Sequence, residues 1–132
     1  MYYIGNFRYV SDQQNLDEPD RRHGDFSLIV ESSSLPKAVD KFRQRIESFR
    51  RSTDFFKGHC AIFISNILEF EQIPRDQAVM LNFRSFAGDP MMPHIECTVP
   101  SEQSNACSIH HWHGNRPATE GEPEEIFIVF NQ

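Results

Sequence analysis

The chain has 132 residues, of which 39% are hydrophobic and 24% are charged, and its formal net charge is −6. One globular domain spanning residues 1–132 is therefore expected, and the acidic balance argues against a general nucleic-acid binder, because phosphate affinity needs many cations on one surface. No stretch approaches the roughly 20 apolar residues of a membrane helix. Three cysteines without a charged leader argue against a disulfide framework, so a cytoplasmic location with reduced thiols is expected.

Two strands are predicted at the start of the chain, because apolar and polar side chains alternate with a period of two. They span 2–10 and 25–31, and both are rich in aromatic and β-branched residues. The polar segment between them, 11–24, is predicted to be a long loop.

The period then changes to that of an amphipathic helix, predicted from about residue 35 to residue 51. Ser34 precedes Leu35 and Pro36, which is the pattern of a helix cap followed by proline in the first turn. Apolar residues recur at helical spacing on one side of this segment, and they are Leu35, Ala38, Val39, Phe42, Ile46 and Phe49.

The remainder of the chain predicts four more strands. The third spans 60–71 with a bend or bulge near Ser65 and Asn66, and a short connection leads to the fourth at 77–85, which favours an antiparallel hairpin. A further strand at 93–99 is bounded by prolines, residues 100–124 are predicted to be loop, and the apolar segment 125–130 suggests a central strand covered on both faces.

These elements predict an α+β fold in the order β-β-α-β-β-β-β. A mostly antiparallel sheet of five or six strands would carry one main amphipathic helix on one face. Because one helix cannot cover both faces, either the sheet curls toward a barrel, or loops or another subunit cover the second face. The chain also contains 12 phenylalanines, which favours a Phe-rich core or interface and hence a homo-oligomer.

The densest chemistry lies between residues 97 and 113. Cysteine and histidine are the ligand types that zinc prefers, and a Cys-x-x-His spacing lets two side chains reach one ion. The four candidate metal ligands are Cys97, Cys107, His110 and His113. No paired Cys-x-x-Cys or His-x-x-x-His motif supports this zinc site, and plain surface histidines are the competing interpretation.

No catalytic residue is predicted, and the sequence does not identify a cofactor beyond the zinc that the Cys/His segment could bind. Cys107 beside a histidine could form a thiolate–imidazole pair, but such pairs form in space and are not predicted by proximity in sequence. The sequence lacks the motifs that are typical of phosphate-binding loops, dinucleotide-binding folds and serine esterases. An interpretation as an enzyme is therefore not favoured.

Three functional hypotheses follow. The first is a small interaction or regulatory module that works as a homo-oligomer or with a protein partner, and the second is a metal-binding protein or small metal-dependent enzyme that uses segment 97–113. The third is a nucleic-acid binder that uses the helix 35–51. Residues 35–58 hold seven basic and three acidic residues, although a solvated helix face explains the same pattern.

Overall fold

The computed structural model describes residues 1–12, 17, 21–86, 96–99, 108–111 and 126–131. Its elements in chain order are β1 (Tyr2–Ser11), β2 (Arg22–Glu31), α1 (Leu35–Ser52), β3 (Cys60–Phe70), β4 (Phe83–Phe86), β5 (Glu96–Val99), β6 (Ser108–His111) and β7 (Ile128–Phe130). The predicted α+β architecture, with one main helix and antiparallel strands, is confirmed.

The main sheet has the strand order β2-β1-β3-β6, and β7 also pairs with β3. Every pairing in this sheet is antiparallel. Since β2 and β3 both run opposite to β1, they run parallel to each other, and α1 is the crossover that joins them over β1. The N-terminal strand β1 therefore lies inside the sheet, with β2 on one side and β3 on the other.

The long ladder between β1 and β3 contains the predicted bulge. Phe7 lies opposite Ile64, while Asn6 lies opposite Asn66, so that Ser65 is an extra residue in β3. An extra residue reverses the alternation of side chains beyond it. This is why Ile64 and Ile67, three apart in sequence, both belong to the core on the helix side and are both 0% exposed.

Helix α1 forms because its start is capped and one side is apolar. The Ser34 hydroxyl oxygen accepts the Lys37 N–H at 3.5 Å, and a proline stands in the first turn. The buried side chains Phe42 and Ile46 pack on the sheet beside Tyr3 and Phe7. Each such side chain contributes about 1.5–3 kcal/mol when it is removed from water, so the helix is held mainly by this packing.

Residues of the chain itself cover part of the second sheet face. Leu68 and Phe70 are buried there, and Tyr2, Ile4 and Val79 pack against them. Val79 belongs to the segment after β3, so this segment packs over the end of β3 on the second face.

A polar row crosses the same face. The Ser27 hydroxyl donates to the Asn6 side-chain oxygen at 2.6 Å, and the Asn6 amide donates to the Asn66 side-chain oxygen at 2.6 Å. On the other side of β3, Asn66 lies opposite His111 of β6. A row of hydrogen bonds penalises any slip of the strands, because a slip would leave its polar atoms without partners.

Three predictions about the later strands are wrong. Among the described residues, β3 does not form a hairpin with the next strand, because β4 pairs with β5 in a separate two-stranded sheet. The predicted loop 100–124 contains β6, which adds to the edge of β3. The last strand is not covered on both faces, since Val129 is 42% exposed while Ile128 is buried.

Candidate functional site

The four predicted metal ligands fall on different parts of the structure. Cys97 lies on β5, opposite Ser85 of β4, and His110 lies on β6, opposite Ile67 of β3. Cys107 and His113 lie outside the described residues. The described ranges contain no group of three potential ligands, and whether the predicted four converge stays a prediction.

His110 instead lies beside a carboxylate. Its Nε2 atom is 3.4 Å from the Glu69 Oε2 atom, and Glu69 stands opposite Tyr3 in the β1–β3 ladder. Burial raises the pKa of the Tyr3 phenol, and the hydrogen bond and negative charge of Glu69 raise it further. The Nε2 atom is buried, and its orientation gives no hydrogen bond. This contact brings together only two side chains that could bind a cation.

Two of the cations of α1 pack against aromatic rings of the chain itself. The Arg43 guanidinium lies 4.6 Å from the ring centre of Phe127, and that of Arg50 lies 4.9 Å from the ring centre of Phe130. Arg50 also donates to the Gly58 carbonyl at 2.8 Å. Two arginines of the helix therefore stack on the aromatic residues around β7. These contacts leave fewer cations on α1 for binding a phosphate backbone than the sequence suggests.

Strand β2 forms one edge of the main sheet within the described part of the chain, and β6 lies at the opposite end of the strand order. The Ser32 N–H donates to the Met1 carbonyl at 2.9 Å, so Met1 and Ser32 form a hydrogen-bonded pair. This pair stands directly beside the pair of Tyr2 with Glu31 in the β1–β2 ladder. In an antiparallel ladder, alternate residues turn their N–H and C=O groups toward the neighbouring strand. The residues of β2 that turn toward β1 are therefore Val30, Leu28, Phe26 and Gly24.

The intervening residues of β2 turn their backbone groups outward, away from β1. Outward N–H and C=O groups are thus assigned to His23, Asp25, Ser27, Ile29 and Glu31. The Glu31 carbonyl agrees with this, because it accepts a hydrogen bond from the Lys41 Nζ atom at 2.8 Å. From His23 to Ile29, no strand of the described residues pairs with this edge, and such an edge is a template for another chain.

A groove between this edge and α1 consists of two adjoining cavities, both of which are lined by Ser27 and Leu28. Its first part, with a volume of about 640 Å³, has Leu28 and Val30 on the strand side and Phe42 on the helix side. Lys41 and Arg45, one helical turn apart, stand on its rim, and no carboxylate lines it. The first part of the groove is therefore apolar at its base and positively charged at its rim.

The second part of the groove, of about 690 Å³, lies toward the end of α1, and its lining includes five aromatic rings. The Phe26 and Phe56 ring centres are 5.0 Å apart, and those of Phe49 and Phe55 are 5.8 Å apart. Phe55 remains 58% exposed. These packed aromatic rings, with Phe55 exposed, form an apolar surface against which another side chain can pack.

Sequence reasoning identified β2 and α1 but not the site between them. The signal that could have found it is the charge pattern on α1, since Lys41 and Arg45 lie on the side of the helix that borders an apolar strand. What the pattern does not show is which strand is outermost, because strand order depends on pairings far apart in sequence.

Among the residues described, no helix is long and apolar enough to cross a membrane. Comparison with known proteins finds no family model that matches the chain, and no similar curated protein or solved structure.

Proposed function

We propose that this protein is a small interaction module that binds another polypeptide chain by strand addition at the outer edge of β2. The observation that carries the proposal is the row of outward backbone groups from His23 to Ile29, beside an apolar groove. An added strand would pair with these groups, which gives affinity from the backbone, while the groove selects side chains.

A homo-oligomer is one form of this proposal. A second copy could offer its own β2, and two identical strands would then pair around a two-fold axis. The second face of the sheet is a weaker candidate for such an interface, because residues of the chain already cover it at Leu68 and Phe70.

Amide hydrogen exchange tests whether the edge is open. In a dilute monomeric sample, the amides of Asp25, Ser27 and Ile29 should exchange rapidly, while those of Phe26 and Leu28 should be protected by the ladder to β1. Protection of all five amides in the monomer would mean that the chain covers its own edge, and the proposal would then be wrong.

Sedimentation velocity between about 1 and 100 μM tests the homo-oligomeric form. If β2 pairs with itself, the wild type associates and the Ile29→Pro variant remains monomeric, because proline removes one outward N–H and leaves the ladder to β1 intact. The Ile29→Thr variant keeps that N–H and is the matched control. A wild type that stays monomeric at every concentration would rule out self-pairing and leave a different protein as the partner.

A further inference from the structure

We infer that the groove between β2 and α1 takes an extended acidic segment of a different protein, with apolar side chains at its centre and carboxylates on the same side at its ends. This inference rests on the proposed function, and it specifies the chemistry of the partner. It depends on three features of the groove: its free backbone edge, its apolar base and the sign of the charges on its rim.

The backbone edge fixes the length and shape of the occupant. Lys41 already satisfies the Glu31 carbonyl, so the stretch open to pairing runs from His23 to Ile29. An added strand of about seven residues matches it at roughly 3.4 Å a residue. Its alternate side chains would lie on the helix side, next to Phe26 and Leu28.

The base of the groove selects apolar side chains at the centre of that segment. Leu28 and Val30 are half-buried members of the apolar row on β2 and pack against the core, as does Phe26. The wall beyond them is aromatic, and the exposed ring of Phe55 stands at its end. An aromatic or β-branched side chain placed opposite such residues makes a favourable cross-strand pair.

The rim selects negative charge. Lys41 and Arg45 border the first part of the groove, and the Arg45 guanidinium is held 4.2 Å from the ring centre of Phe49. In the second part, Lys57 lies on the rim with Asp54, and the two form an ion pair of 3.0 Å. The rim thus carries unbalanced positive charge on a chain whose net charge is −6, which favours an acidic ligand in this groove.

Charge also distinguishes a different protein from a second copy. The residues of β2 that face the helix side are Arg22, Gly24, Phe26, Leu28 and Val30. They include no carboxylate, so a second copy would bring no negative charge to Lys41 and Arg45. An acidic segment complements both the apolar base and the cations, whereas β2 of a second copy complements only the base.

Three fluorescein-labelled peptides, read by anisotropy, test the inference. The acidic probe is the capped heptapeptide Glu-Thr-Phe-Thr-Val-Thr-Glu, whose glutamates, phenylalanine and valine share one side of a strand. The basic probe replaces both glutamates by lysine. The third probe has the sequence of β2 itself, residues 22–31, and stands for a second copy.

The acidic probe should bind at least about tenfold more tightly than the basic probe at low salt, and the preference should shrink at about 0.5 M NaCl. The Lys41→Gln/Arg45→Gln variant should lose the preference for the acidic probe. Its control, Lys37→Gln/Arg51→Gln, removes the same charge from the same helix outside the groove and should keep it.

The Ile29→Pro variant should lose binding of the acidic probe, and Ile29→Thr should retain it. Circular dichroism and a urea titration on each variant establish that loss of binding is not loss of fold. Equal affinity for the acidic and basic probes, no binding of the acidic probe up to about 1 mM, or tighter binding of the β2 peptide would each overturn the inference. The hydrogen-exchange result separates this failure from that of the proposed function, because an open edge that ignores the acidic probe leaves strand addition standing.

Discussion

The Gly58→Ala substitution should destabilise the fold in two ways, through backbone strain at residue 58 and through the contact of this residue with Asp12. Gly58 has a φ of 72° and Asp12 a φ of 53°, both in the left-handed region. The His59 N–H donates to the Asp12 Oδ1 atom at 3.0 Å, and the Asp12 N–H donates to the His59 carbonyl at 2.8 Å. A Cβ atom on Gly58 would stand 2.6 Å from that same Oδ1 atom, so the carboxylate must move and lose its hydrogen bond.

Two costs add up in this variant. An alanine at a left-handed position costs about 1–2 kcal/mol, and the lost hydrogen bond to a charged group costs about 1.5–3 kcal/mol. The expected loss of unfolding free energy is therefore about 2.5–5 kcal/mol, which a domain of ordinary stability survives in part. Urea denaturation followed by circular dichroism measures it.

A double-mutant cycle separates the two costs. Asp12→Gly removes the carboxylate and suits the positive φ, so that Gly58→Ala in that background should cost only the backbone strain, about 1–2 kcal/mol. The coupling between the two positions should be about 1.5–3 kcal/mol. If Gly58→Ala costs the same in both backgrounds to within about 0.5 kcal/mol, the contact with Asp12 is not the cause and the reasoning is refuted.

Three further outcomes are expected. Ile46→Ala leaves a cavity under α1 at a side chain that is 0% exposed, so urea denaturation should show a loss of about 2–5 kcal/mol; a loss below about 1 kcal/mol would contradict the packing of the helix on the sheet. Burial raises the pKa of the Cys60 thiol from 9.0 to about 11. Its raised pKa favours the folded state below pH 9, and that contribution is lost as the pH rises toward 11. The wild type should therefore lose more stability than Cys60→Ala in a series of urea titrations over that range, and parallel curves would contradict it. For the predicted zinc site, protein purified without an affinity tag should contain zinc in elemental analysis; no bound metal and no change in stability on chelation would dismiss the site.

The helix could be predicted almost to the residue, because its signals are local. A capping serine, a proline in the first turn and apolar residues at helical spacing all lie within the segment itself, and α1 ends at Ser52 instead of residue 51. The sequence also predicts a bend or bulge near Ser65 and Asn66, and the structure has the extra residue at Ser65.

The pairing of the later strands could not be predicted in the same way. Residues 77–82 alternate well, and the connection before them is short, yet β3 already has β1 on one side and β6 with β7 on the other. The choice among these neighbours depends on contacts distant in sequence. The short and largely polar strand β6, Ser108–His111, carries no strong strand signal of its own.

The candidate site, like the fold, could be predicted from the sequence only in part. Lys41, Arg45 and the apolar row of β2 are visible in the sequence, but their shared groove follows from α1 crossing β1 and from β2 being outermost. The predicted ligand His110 lies near Glu69, a neighbour that spacing along the chain could not reveal because it comes from the opposite strand.

The extra residue in β3 has a consequence for anyone who aligns or edits this sequence. Ile64 already lies opposite Phe7 and Asn66 opposite Asn6, so deleting Ser65 would remove the bulge and leave the residues on both sides with their present partners and faces. Deleting Ile67 instead, with the bulge retained, would turn Leu68 and Phe70 toward the helix side. A gap at Ser65 in an alignment is therefore compatible with the same architecture, whereas a gap two columns later is not.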